Sequence, residues 1–162
     1  MRLRNVKNAR EIVSNHNLVV TENPFDNSKP LHIEIGTGKG DFIIGKAKLH
    51  PEINFIGIEK YESVLIRALN KLEDIPENLR FMCFDAIKIT DYFNNNVDQI
   101  YLNFSDPWPK KKHSKRRLTS PIFLDLYKEI SKDNINIKMK TDNKDLFAYS
   151  IMTYNNYGFK IK

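Results

Sequence analysis

Apolar and polar positions follow no steady period before residue 31 and two regular ones after it. LHIEI (31–35) is a short apolar run ending at glycines, which predicts a strand. DFIIGKAKLH (41–50) has helical spacing, with Phe42, Ile43, Ala47 and Leu49 expected inward. INFIGIE (53–59) predicts a second strand. YESVLIRALNKLED (61–74) predicts a helix that places Val64, Leu65, Ala68, Leu69 and Leu72 on one face. LRFMCFD (79–85) predicts a third strand, followed by a short helix, and DQIYLNF (98–104) a fourth. Thr119 or Ser120 can cap a helix that has Pro121 near its first position and carries Phe123, Leu126, Tyr127 and Ile130. INIKMKTD (135–142) predicts a fifth strand, and 143–157 a helix that Gly158 is placed to stop.

Strands alternating with helices of this length predict βαβ units: an α/β fold with a doubly wound, mostly parallel sheet. Ligands of such sheets bind beyond the carboxyl ends of the strands. Residues 1–30 are polar and basic, with Arg2, Arg4, Lys7 and Arg10 spaced along them, and Asn23-Pro24 and Lys29-Pro30 mark irregular chain. They are expected to form a basic, mobile arm or short helix (1–30) ahead of one domain (31–162).

Composition narrows the function classes. A chain of 162 residues with 41% hydrophobic content suits one domain with a single core. The net charge of +6 is matched by Lys110, Lys111, Lys112, Lys115, Arg116 and Arg117 alone, so the basic character is local and suggests a polyanion footprint. Cys83 is the single cysteine and reads as a small buried hydrophobe. No segment has the apolar length of a membrane span, and MRLRNVKNAREIV has no signal-peptide core. No Cys, His or acid set has metal-ligand spacing, so no metal is implied. The expected setting is cytoplasmic.

The sharpest motif is EIGTGKG (34–40), between the first strand and its helix. Glycines there permit a tight turn and close approach of a ligand to backbone, and the helix start offers free N–H groups. Gly36, Gly38 and Gly40 depart from the dinucleotide fingerprint G-x-G-x-x-G, because the third glycine comes one residue early. Glu34 adds a carboxylate where a pyrophosphate binder needs none. E-x-G-x-G-x-G resembles the first motif of class I S-adenosylmethionine-dependent methyltransferases. Two more acids stand at strand ends. Glu59 has two acceptor oxygens to offer a ribose diol. Asp85 can accept from an adenine amino group with Ala86 backbone against the ring, or can simply cap the helix that follows.

The fourth strand runs into NFSDPWPKKKHSKRR (103–117). Its prolines stiffen the turn. Trp108 can pack against a base, wall the pocket or anchor the loop to the core, and Asp106 can orient donor and acceptor. D-P-W-P resembles the [DN]-P-P-[aromatic] motif of enzymes that methylate amino groups of bases. With EIGTGKG, IGIEK and MKTDN, the string SDPWPKKKHSKRRL closely resembles bacterial tRNA (guanine-N7-)-methyltransferases, from Glu34 to Tyr149 and more loosely through the arm.

The resemblance implies the class I methyltransferase (Rossmann-like) fold, S-adenosyl-L-methionine as cofactor and a guanosine in the tRNA variable loop as target. It implies cofactor contacts at Glu34, Gly36, Gly38, Glu59, Asp85, Ala86 and Asp106, with Asp106 also catalytic. Lys110 and Asp142 match tRNA-contacting positions, and Trp108, Lys115, Arg116 and Arg117 are expected on the same substrate side. A monomer or homodimer fits this reading.

One departure stands out. GFKIK (158–162) reads as the start of a sixth strand, and nothing matches the T-x-x-E motif of the family's tail. The expectation is a sheet with incomplete C-terminal strands and an exposed apolar edge, as in a fragment, a frameshifted product, or a reduced form completed by a partner or by dimerisation. Three readings compete with N7 methylation: a methyltransferase for another base or for a protein, a truncated relative that binds tRNA without turnover, and a nicotinamide dehydrogenase. The KKKHSKRR continuation argues against the first, and glycine spacing with Glu34 against the last.

Overall fold

The computed structural model describes residues 5–74 and 76–162; Arg2 and Arg4 lie outside the described residues. Five parallel strands form one sheet in the order β3-β2-β1-β4-β5: β1 (Leu31–Ile35), β2 (Asn54–Glu59), β3 (Leu79–Cys83), β4 (Gln99–Asn103) and β5 (Ile137–Lys140). The chain winds outward from β1 to β3, then crosses back to β4 on the other side of β1. The order therefore reverses between β1 and β4, and sheets of this kind bind ligands beyond the carboxyl ends at that point.

Paired residues of parallel strands share a face, so the register divides the core in two. Phe55, Phe81, Leu79 and Tyr101 meet the first face's helices, α1 (Ala9–Ser14), α2 (Asp41–Leu49) and α3 (Glu62–Leu69). Ile33, Ile56, Ile58, Ile100 and Leu102 meet α4 (Pro121–Ile130) and α5 (Lys144–Tyr157) on the other, through Phe123, Tyr127, Ile130 and Tyr154. The central strands are buried on both sides, which is why β2 reads as a nearly continuous apolar run.

The elements match the sequence pattern, with differences at their ends. α3 stops at Leu69 and buries Leu65, Ile66, Ala68 and Leu69; Lys71, just beyond it, ion-pairs with Asp41 of α2 at 2.5 Å. In α2 the inward residues are Ile43, Ile44 and Ala47, whereas Leu49 is 75% exposed, because a nine-residue helix turns its last position away from the sheet. The segment expected to be an arm or short helix holds the helix α1 and packs on the first core through residues 6–20, while 21–30 stay largely exposed. Val6 N–H donates to Ser63 Oγ, Val13 and Leu18 enter the first core, and the Leu18 and Val20 backbone pairs with Phe81 beside the edge strand β3.

α5 ends as predicted: Gly158 has φ 100°, and the Gly158 and Phe159 amides donate back to Asn155 and Tyr154 carbonyls in a Schellman turn. The chain beyond it joins no strand; Phe159 turns onto Tyr154 and Tyr157 instead. The outer side of β5 lines an open groove of about 1070 Å³ with Phe147, Ile151 and Tyr154. Among the described residues no helix is long and apolar enough to cross a membrane.

Candidate cofactor and substrate site

At the carboxyl end of β1, Gly36, Gly38 and Gly40 all take left-handed backbone, with φ of 77°, 60° and 78°. Their roles divide by what a side chain would meet. A Cβ on Gly40 would stand 2.8 Å from the Ala68 Cβ, so this glycine lets α2 start tight against α3. A Cβ on Gly36 or Gly38 would meet nothing within 4 Å, so these two face open space. The Gly36 and Thr37 amides donate to the Ile58 carbonyl, which fixes the turn across the end of β2.

Glu34 lies under this turn and is 2% exposed. Thr37 Oγ1 donates to its Oε1 at 2.5 Å, and Asn103 Nδ2 donates to its Oε2 at 2.8 Å. Burial pushes the carboxyl up to about 7, against the pull of Asn103 and Thr37, and Glu59 adds to the rise. Glu59, at the end of β2, is 8% exposed; burial raises its carboxyl also, opposed by the Gly38 and Lys60 amides and reinforced by the charge of Asp106. Asp85 follows β3. One oxygen accepts from Ile87 N–H, so it does cap the 3₁₀ turn 86–91, and the other ion-pairs with Lys60 at 3.2 Å. Half-buried Ala86 opens that turn. Cys83 is half-buried beside Glu59 and Glu62, with its thiol pushed up to about 11 by burial, away from the thiolate form.

The loop after β4 brings Asp106 to the same end. Its backbone is unusual: the four non-glycine residues with positive φ among those described are Asn8, Asn95, Phe104 and Trp108. Asparagine tolerates this region; bulky aromatics do not, and each such placement costs about 1–3 kcal/mol. Arg117 holds the second of them. Its Nε donates to the Pro107 carbonyl at 3.0 Å, its Nη2 to the Trp108 carbonyl at 3.0 Å, and its guanidinium lies 4.4 Å from the Tyr149 ring centroid on α5. Arg117, expected among the substrate-side cations, is thus turned inward onto the loop, because two parallel donors suit two adjacent carbonyls.

Trp108 is half-buried, with the Arg116 guanidinium 5.0 Å from its ring centroid and His113 at its edge. The cationic run is no open loop but a 3₁₀ helix, Lys111–Arg116, which leaves Lys110, Lys111, Lys112 and Lys115 exposed. Asp142, exposed beyond β5, lies beside Asn143, whose side chain caps α5 by accepting from Leu146 N–H at 2.8 Å.

Sequence reasoning missed Thr37, Asn103 and the Arg117–Tyr149 brace. The first sits three residues past Glu34, and the second ends the strand beside it; only the order β2-β1-β4 reveals that Asn103 and Glu34 are neighbours. Among the described residues, no three His, Cys, Asp or Glu side chains are grouped to hold a metal.

The donor set fits a cationic nucleoside ligand. Two buried carboxylates at the glycine turn disfavour the pyrophosphate of a dinucleotide and favour positive charge. Gly36 and Gly38 leave room above the turn, and Glu59 and Asp85 follow at the ends of the next two strands.

Solved structures agree on the fold. The chain superposes with a TM-score of 0.64 on precorrin-6y C5,15-methyltransferase from Geobacter metallireducens, at 12% identity over 83% of this chain and 65% of that one. An antibiotic-related methyltransferase gives 0.61 at 20% identity, over 83% and 71%. Residues 28–161 match a family described as "Putative methyltransferase". The chain is 46% identical to the tRNA (guanine-N(7)-)-methyltransferase of Lysinibacillus sphaericus, over all of this chain and 81% of that protein. It is equally identical to that of Streptococcus sanguinis, over 82% of its length. By identity and coverage, this chain belongs to the tRNA (guanine-N(7)-)-methyltransferase family.

Proposed function

We infer that the protein transfers a methyl group from S-adenosyl-L-methionine to N7 of a guanosine in the tRNA variable loop, in the cytoplasm. The observation that carries this reading is the meeting of the buried Glu34–Asn103 pair, the open glycine turn and Asp106 at one end of the sheet. When bound, S-adenosyl-L-methionine supplies a methyl on a cationic sulfur, and the bond to sulfur breaks as the bond to guanine N7 forms.

The residues divide the remaining work. Glu34 faces the cationic amino acid portion, with Thr37 and Asn103 fixing its two oxygens. Gly36 and Gly38 admit the ligand against backbone. Glu59 takes the ribose hydroxyls, and Asp85 with Ala86 borders the adenine. Guanine N7 already presents an in-plane lone pair, so no strong base is required. Alignment then carries the rate, and well-aligned reactions gain roughly 7–11 kcal/mol over their free counterparts. Asp106 holds the guanine edge and stabilises the positive charge that the purine acquires. Lys110 and Asp142 border the acceptor side, with Trp108 as its wall. The exposed lysines 110, 111, 112 and 115 meet phosphates.

The test incubates the chain with labelled S-adenosylmethionine and unmodified tRNA transcripts, then maps the product by reductive chain cleavage at N7-methylguanosine. Cleavage at one variable-loop guanosine is expected. Label at another position would reassign the enzyme to a different base, and cofactor binding without transfer would remove the enzymatic reading.

A further inference from the structure

Of the two aromatics held in left-handed backbone after β4, only one has a free ring. Trp108 is covered by the Arg116 guanidinium and flanked by His113. Phe104 is 64% exposed and belongs to neither hydrophobic core. It stands two residues before Asp106, directly after Asn103, whose side chain is tied to Glu34. Its own amide donates to the Lys140 carbonyl at 2.8 Å, the last rung between β4 and β5. The backbone leading into Phe104 is therefore fixed, while its ring stands exposed just past the carboxyl end of β4. The left-handed backbone at Phe104 is maintained by a hydrogen bond at the end of the strand that borders the reversal of strand order, and strain kept at such a place points to a ligand.

We propose that Phe104 is the stacking platform for the target guanine, and that Trp108 is a wall braced by Arg116 and Arg117. This rests on the N7-methylation reading and adds to it the group that receives the extruded base. An enzyme that modifies a base must take it out of its stack, and the lost stacking is replaced by an aromatic face. Phe104 offers such a face two residues from Asp106, at the same end of the sheet, so that a base on the ring is within reach of the carboxylate. The lysines of the adjoining 3₁₀ helix hold the backbone of the same nucleotides.

The test compares the parent with Phe104→Leu, which keeps apolar bulk without a π face, and Phe104→Tyr, which keeps the face. Three quantities are read for each: N7-methylguanosine formed per tRNA, kcat/KM for tRNA, and affinity for S-adenosylhomocysteine. Phe104→Leu is expected to lower kcat/KM by roughly 5- to 140-fold, the factor equivalent to about 1–3 kcal/mol of base–aromatic stacking. Phe104→Tyr should stay within about threefold of the parent, and both should bind S-adenosylhomocysteine like the parent. Full activity of Phe104→Leu overturns the proposal, as does equal loss in Phe104→Tyr. A drop in S-adenosylhomocysteine affinity would assign the ring to the cofactor and overturn it too. Absence of N7-methylguanosine in the parent would defeat the underlying reading, and the role of Phe104 with it.

Discussion

Asn103 donates its side-chain N–H to Glu34 Oε2 at 2.8 Å, from the last residue of β4 to a buried carboxyl on β1. This bond spans the point where the strand order reverses, and joins the glycine turn to the loop that carries Asp106.

Because burial holds the Glu34 carboxyl up near 7 from an ordinary 4.5, the ligand-free folded chain binds that proton more tightly than the unfolded chain. Its contribution to stability is full below about 4.5 and is lost as pH rises through about 7. At about 1.4 kcal/mol per pH unit, the difference amounts to roughly 3 kcal/mol. Glu34→Gln should lack this loss, so its unfolding free energy relative to the parent should climb between pH 5 and pH 8, on the order of 1–3 kcal/mol by urea titration. The ammonium group of the cofactor's amino acid tail, which S-adenosylhomocysteine keeps after the sulfonium charge is gone, requires the carboxylate. Affinity for S-adenosylhomocysteine should therefore rise up to tenfold per pH unit below about 7 and level off above it. A flat calorimetric profile in the parent would remove Glu34 from the cofactor site.

Arg117 braces the loop through the Pro107 and Trp108 carbonyls. Lysine has one point charge and cannot reproduce the fork. Arg117→Lys should lower kcat at saturating tRNA and cofactor by at least about tenfold, given roughly 1.5–3 kcal/mol for a charge-assisted bond. S-adenosylhomocysteine affinity should stay within a factor of about two. Unchanged kcat would show that the loop holds its shape without the brace.

The salt dependence of tRNA binding separates cations that meet phosphate from those that serve the fold. Ala at Lys111, Lys112 and Lys115 should flatten the plot of log affinity against log salt by about 0.7–0.9 for each phosphate no longer neutralised. Arg117→Ala should leave the slope near the parental value, because that guanidinium already binds the loop. Equal slopes for the parent and the triple variant would place the tRNA elsewhere on the surface.

The glycines of the turn should respond differently to Ala. Gly40→Ala combines left-handed strain with a 2.8 Å approach to Ala68 and should lower stability by about 2–4 kcal/mol in denaturant titration. Gly38→Ala has strain but no clash, so its loss should be nearer ~1 kcal/mol, with the larger effect on cofactor affinity. Similar stability losses in both would mean that α2 shifts to accommodate the Gly40 methyl.

The fold class was legible because strand and helix periods are local properties of the chain. The strands at 31–35, 54–59 and 79–83, the helix stopped by Gly158 and the acids at successive strand ends all follow from short-range pattern. The substrate class came from the spelling of one loop, SDPWPKKKHSKRRL, whose charge and turn residues are likewise local. What the sequence could not decide was which side chains meet. Asn103 and Glu34 are 69 residues apart and become neighbours only because β4 pairs with β1. Arg117 reads as one more cation in a basic run until the loop turns back and offers it two carbonyls and the Tyr149 ring. Phe104 reads as the end of an apolar strand, yet its left-handed backbone holds the ring in solvent. Charge, turn and period are written in sequence order; burial and hydrogen-bond partners belong to chain crossings, and only the packed sheet fixes those.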